Sequence, residues 1–233
     1  DANLTENVEI IAGESSNVTV ISLQQWGASS RHLASHFVRT DKDAQVTHTV
    51  ITLSGEVVRV NPQTQLIGEG SSVNMLGLYF ADAGEHLEQQ VYVHHVGAHT
   101  KSRVNYKGAR QGAGARTVWI GDVLIGQAAV GTDSYEQNRN LILTDGTRAD
   151  SIPNLEIKTG DIAGAGHASA TGRFDDEQLF YLQARGISEE MARKLVVRGF
   201  LNEIVQQIDV TSVVERIERA LDAVLGTVDG EAI

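Results

Sequence analysis

Between Val8 and about Ile162, apolar and polar positions alternate in period two through one short run after another. The clearest runs are "NVTVISL" (17–23), "VTHTVITL" (46–53), "VVRV" (57–60), "VNMLGLYF" (73–80), "QVYVHHV" (90–96), "RTVWIG" (116–121) and "NLILTD" (140–145). Each is rich in β-branched residues, and Gly, Asn, Asp and Ser separate them. The two prolines, Pro62 and Pro153, are expected between strands. No amphipathic helix of useful length interrupts the region, which leaves a sandwich, a barrel or a coil of strands. Three features favour a coil, a parallel β-helix. There are about a dozen strand candidates, the connections rarely look like Asn-Gly or Asp-Gly hairpins, and small residues recur where a coil must turn a corner. "DGT" at 145–147 is the main hairpin-like exception, and no clean hexapeptide or nonapeptide repeat is present.

After Gly172 the period changes. Asp175 or Asp176 can cap a helix through "EQLFYLQAR", with Gly186 as its stop. Ser188 then caps "EEMARKLVVRGFLNEIVQQI", with Glu189 and Glu190 in the first turn, where the helix dipole favours them. Met191, Leu195, Val196, Phe200, Leu201, Ile204, Val205 and Ile208 form its apolar stripe. A third helix is expected after Thr211 or Ser212, with Val213, Val214, Ile217, Ala220, Leu221, Val224 and Leu225 on one face and a frayed tail behind it. The expected organisation is therefore a β body over residues 1–172 and a helical subdomain over 173–233. So small an appendage must pack on the β body, on a partner, or on both.

Composition narrows the function classes. A net charge of −11 supplies no basic groove for a phosphate backbone, which argues against nucleic acid as a partner. With no cysteine, the chain has neither disulfides nor thiolate metal sites of its own, and a reducing compartment is compatible. No apolar run approaches the roughly 18 residues of a membrane span, and no signal peptide is visible. The sequence opens on Asp1 rather than Met, which fits a chain trimmed at its N-terminus.

The chemistry-bearing residues are few. His167 lies in a bed of Gly, Ala and Ser, "GAGHASATG", which leaves its ring open to a ligand or another backbone. An imidazole there can bind a metal or carry a proton, or simply hydrogen-bond a carbonyl at a strand-to-helix corner. "HHVGAH" holds His94, His95 and His99, but neighbouring residues on a strand face opposite ways, so a polar surface rung is favoured over a metal cluster. There is no G-x-S-x-G elbow, and the glycine-rich "GEGSS" (68–72) and "GAGAR" (112–116) open no helix. Capping explains the Asp175–Asp176 pair. Nothing composes an autonomous active site, and a scaffold or subunit is expected rather than an enzyme.

"FDDEQLFYLQARGISEEMARKLVVRGFLNEIVQQI" closely resembles the C-terminal signature of the SufB/SufD family of iron–sulfur cluster assembly scaffold proteins. "TDSYEQNRNLILTDGTRADSIPNLEIKTGDI" (132–162) resembles the segment before it, and "HHVGAHTKSRVNYKG" (94–108) a weaker internal feature. The likeness is to the SufD branch. Where the SufB branch carries a cysteine this chain has Arg139, and where SufB has a Glu after the histidine it has Ala168. Many SufD sequences read Cys-Ser-His where this chain reads "GAGH", with one extra residue.

The resemblance implies a mainly β protein, with a right-handed parallel β-helix core followed by a small C-terminal α-helical subdomain. It also implies a SufB-like paralogue as heterodimer partner, a SufC-like ATPase docked by the C-terminal helices, and a cytoplasmic location. His167 matches the histidine implicated in cluster assembly, so it is expected to ligate iron or a nascent iron–sulfur cluster transiently shared with the SufB-like partner. The helical stripe around Leu195, Phe200, Leu201 and Ile204 is expected to dock the ATPase, with helix-in-groove recognition as the natural mode. Two rivals stand beside this reading. One is a β-helix enzyme acting on acidic polysaccharide, for which Arg139, Lys101 and Arg103 offer charge but no acid–base set. The other is a homodimeric β-helix binding module joined through an end strand.

Overall fold

The computed structural model describes residues 2–226. The expected tail beyond Gly226 and the side chain of Val224 lie outside the described residues. Twelve strands come first: β1 (Asn3–Ala12), β2 (Asn17–Gln25), β3 (Arg31–Thr40), β4 (Gln45–Ser54), β5 (Val57–Leu66), β6 (Ser72–Ala81), β7 (His86–His95), β8 (Lys101–Arg110), β9 (Arg116–Ile125), β10 (Thr132–Ile142), β11 (Arg148–Ile157) and β12 (Ile162–Arg173). Three helices follow: α1 (Asp176–Gln183), α2 (Glu189–Val205) and α3 (Thr211–Gly226).

Odd strands form one six-stranded sheet and even strands the other. Every strand pairs in parallel with the one two places on, as in Asn3↔Arg31 and Arg31↔Val57. Two strands make one turn of a coil, and the molecule is a parallel β-solenoid, as the coil reading expected. Because each turn holds two strands of about ten residues, no hexapeptide period is present to be found. Equivalent side chains instead recur about one turn apart, as with Thr100 and Thr132 or Ser102 and Ser134, each pair 32 residues apart. The β body runs through Arg173, and both prolines lie inside strands, Pro62 in β5 and Pro153 in β11.

The corners explain the small residues. After each odd strand from β1 to β9, one residue takes a left-handed backbone: Ser15, Asp43, Gly70, His99 and Gly131, with φ between 54 and 73°. Each donates its backbone N–H to a carbonyl of the next turn, at Lys42, Glu69, Ala98, Val130 and Asp161 respectively. Glycine suits this conformation, whereas side chains at Ser15, Asp43 and His99 cost about 1–2 kcal/mol each. "DGT" at 145–147 is one such corner and not a hairpin: Gly146, with φ 75°, carries the chain from β10 in one sheet to β11 in the other.

Inside the solenoid, size is matched between turns. A Cβ on Gly77 would lie 1.9 Å from the Tyr106 ring, and one on Gly108 would lie 1.7 Å from the Tyr79 ring. The two buried aromatics occupy space that the glycines of adjacent strands leave.

The outer face of the even sheet is apolar where the helices cover it. Ile51, Leu53, Leu76, Leu78 and Phe80 pack with Val197, Leu201, Ile204, Ile217 and Leu221 in a second core. This is why β6 is buried along almost its whole length instead of alternating. The caps form as expected: Asp175 accepts from the Glu177 N–H and Ser188 from the Met191 N–H. The ion pairs Glu189–Arg193 and Glu190–Lys194 brace the first turns of α2.

The same packing corrects the expected docking stripe. Leu201 and Ile204 are fully buried against the β body, and Phe200 is half-buried with Lys107 Nζ 4.8 Å from its ring centroid. Leu195 is 45% exposed. The apolar side chains that face solvent on α1 and α2 are Phe180, Tyr181, Met191 and Leu195.

Candidate functional site

His167 sits within β12 and not at a corner. β12 is the last strand of the even sheet, hydrogen-bonded to β10 on one side and, among the described residues, to no strand on the other. The pairing of the two strands is irregular at its start. Thr132 faces Ile162 while Asp133 faces Gly164, so Ala163 is skipped. From Gly164 onward the register is regular, and His167 lies opposite Glu136.

Glu136 points into the solenoid and is wholly buried. One of its oxygens lies 3.8 Å from His167 Nδ1, and the His167 side chain is 44% exposed. Neither Glu136 oxygen has a hydrogen-bond partner among the described residues. Burial, with a smaller contribution from the Asp122 charge, pushes the Glu136 carboxyl up to about 8. Across the lumen stands Gly121, where a Cβ would come within 2.4 Å of Glu136 Oε2. His167 opens on the other side into a cleft of about 430 Å³, shared with Tyr92, Asp122, Leu124, Asn154 and Glu156.

A chain of polar contacts runs beside this pair to the end of the solenoid. Arg110 donates to Asn140, whose Oδ1 also accepts from the Tyr79 hydroxyl. Asn138 donates to that hydroxyl and accepts from Asn140 Nδ2 and Ser151 Oγ; Ser169 Oγ then donates to Ser151 Oγ. Ser169 lies two residues beyond His167 on β12. At the final turn this interior polar chain reaches solvent through Ser151 and Ser169.

The other histidines are not brought together with His167. His95 is buried inside the solenoid, bonded to Thr100 and Ser102, so the expected surface rung is an interior one. Burial lowers its imidazole to about 4. His99 is an exposed corner residue and His94 faces outward, so the three share no site. "GEGSS" and "GAGAR" are corners, with Gly70, Gly112 and Gly114 at positive φ. Of the cations weighed for a polysaccharide site, Arg103 is paired with Asp133 at 2.6 Å. Among the described residues no group of three His, Asp or Glu side chains stands in metal-holding geometry. No described helix is long and apolar enough to cross a membrane.

Glu136 escaped the reading of the sequence. Its signal was the alternation in "SYEQN": with Ser134 and Asn138 inward, the residue between them on the same face is inward too.

Comparison with known proteins shows what the chain is similar to. Residues 1–200 match the family model described as "SUF system FeS cluster assembly, SufBD core domain". An iron–sulfur cluster assembly SufBD family protein of Mycobacterium tuberculosis is 52% identical over 93% of this chain and 56% of its own length. A protein of the same description from Mycobacterium leprae is 52% identical over 93% of this chain and 57% of its own. The iron–sulfur cluster assembly protein SufD of Escherichia coli is 31% identical over 76% of this chain and 42% of its own. The chain thus spans about half the length of the curated relatives it matches.

Proposed function

The chain belongs to the SufBD core family of the SUF iron–sulfur cluster assembly system, and from that premise we propose that it is a SufD-like, non-catalytic scaffold subunit. Its work is to help acquire iron and assemble a nascent cluster at the interface with a SufB-like partner. The observation that carries this reading is the placement of His167: half exposed, on the last strand of the solenoid, beside an unpaired sheet edge. Iron and sulfide are the cargo. A neutral imidazole suits iron, and soft thiolate ligands must come from the partner, since this chain has no cysteine.

The free edges of β11 and β12 support an interface of strands with the SufB-like paralogue, or with a second copy when the subunit is alone. Phe180, Tyr181, Met191 and Leu195 support docking of the ATPase subunit on α1 and α2, in place of the buried Leu201 and Ile204. The absence of cysteine accords with a reducing compartment such as the cytoplasm.

The test is co-purification of the chain with an ATPase and a cysteine-bearing paralogue, then anaerobic reconstitution followed by absorption spectroscopy. The wild-type complex should develop the cluster chromophore and the His167→Ala complex should not. Full cluster yield from the mutant complex would refute the role given to His167.

A further inference from the structure

Glu136 has no evident reason to be a carboxylic acid if its role is packing. It fills an inward position between Ser134 and Asn138, wholly buried, with neither oxygen hydrogen-bonded among the described residues. A buried carboxyl without a partner is costly, and a residue of the same volume without charge would fill the space as well. On the opposing strand Gly121 leaves the space that the carboxyl shares with the Trp119 ring: a Cβ there would lie 2.4 Å from Glu136 Oε2 and 2.3 Å from the ring. Among the described residues, the one basic nitrogen within 4 Å of the carboxyl is His167 Nδ1, its register partner on β12. Their separation of 3.8 Å is longer than a hydrogen bond, but the ring is exposed on its other side and a modest rotation closes the gap.

We propose that Glu136 is the positioning residue of His167: one of its carboxyl oxygens accepts the Nδ1–H of the ring and leaves Nε2, as a free lone pair, on the solvent side. An oxygen acceptor at one imidazole nitrogen fixes both the tautomer and the orientation of the ring, and makes the other nitrogen a better donor to a metal. The skipped residue Ala163 serves the same end, setting the register that brings His167 opposite Glu136. The use of that lone pair rests on the reading of His167 as an iron ligand; the positioning itself does not.

The tautomer of His167 is the direct readout. The full chain is labelled with nitrogen-15 histidine and compared with Glu136→Gln and Glu136→Met, the His167→Ala spectrum identifying the signal. At a pH where the ring is neutral, the wild type should carry its proton on Nδ1. Glu136→Gln, which keeps a carbonyl acceptor, should retain that tautomer. Glu136→Met, similar in volume but without the acceptor, should revert to the Nε2–H form that free histidine favours in water. Cobalt(II), titrated into the same chains as a spectroscopic probe, should bind about 10-fold or more weaker to the Met variant. A wild-type ring protonated on Nε2, or a tautomer unchanged in Glu136→Met, overturns the proposal. The expected tautomers with no cobalt bound by any form leave the positioning standing and remove the ligand reading instead.

Discussion

β6 and β12 belong to the same sheet, three places apart, yet their environments are opposite. β6 has its inner residues in the solenoid core and its outer ones, Leu76, Leu78 and Phe80, beneath α2 and α3. β12 has one hydrogen-bonded neighbour, a face of Gly, Ala and Ser, and an exposed histidine. The covered strand is where apolar burial accumulates and stability resides. The edge strand gives that up and keeps accessible backbone and an imidazole in its place. Stability and the proposed function thus fall on different strands of one sheet, and the two should respond differently to mutation.

The largest stability effect belongs under the helices. Leu201→Ala removes a fully buried side chain from the seam between α2 and the β body. It should lower unfolding free energy by about 2–5 kcal/mol in a urea titration. A loss below about 1 kcal/mol would mean that the helices are an accessory and not part of the core.

Acid should reach the interior next. His48 and His95 are buried, and desolvation lowers their imidazoles from 6.5 to about 3 and about 4. His36, whose Nδ1 lies 3.1 Å from His48 Nε2, is lowered too, chiefly by burial. Between those values and 6.5 the unfolded chain binds protons that the folded chain refuses. Stability therefore rises with pH through that window and falls as pH drops below 6.5. Each such histidine contributes a slope of up to about 1.4 kcal/mol per pH unit. His48→Gln should flatten the dependence between pH 4 and 6 by about one such increment. Parallel curves for mutant and wild type would show that the interior does not hold His48 neutral.

How far this division was legible in the sequence follows from what each strand must satisfy. The helices could be read because caps and apolar stripes are local: Asp175 and Ser188 do what their types and positions predicted. The strands and the change of period after Gly172 were likewise visible. Which side of the α2 stripe faces the β body was not. Leu195 and Leu201 are equally apolar, and only the outward Leu76, Leu78 and Phe80 decide that Leu201 is covered. The corners were half legible: glycine marks several, but His99 and Asp43 hold the same backbone at a cost set by the neighbouring turn. His167 was marked by its bed of small residues and given a role by family likeness, whereas Glu136 needed a register that only the assembled coil supplies.

A smaller effect on folding is expected on the exposed helical face. Leu195→Asp places a charge where the side chain is already 45% exposed, so unfolding free energy should change by less than about 1 kcal/mol. Binding of the ATPase subunit, measured by calorimetry, should nevertheless weaken markedly. Unaltered binding would move the docking surface off α2.

The smallest effect on stability, and the sharpest test of the comparison, falls on β12. Among the described residues the His167 side chain makes one ion-pair-range contact, with Glu136 at 3.8 Å, and fills no core position. Removing it as His167→Ala should shift unfolding free energy by no more than about 0.5 kcal/mol, and the midpoint in urea should barely move. The same substitution should abolish cluster formation in the reconstituted complex. Leu201→Ala should show the converse, marked destabilisation with cluster yield retained under conditions where the subunit stays folded. If His167→Ala destabilised the chain as Leu201→Ala does, the imidazole would be a structural element of the last turn. The exposed end of the solenoid would then be an unfinished core and not a working surface.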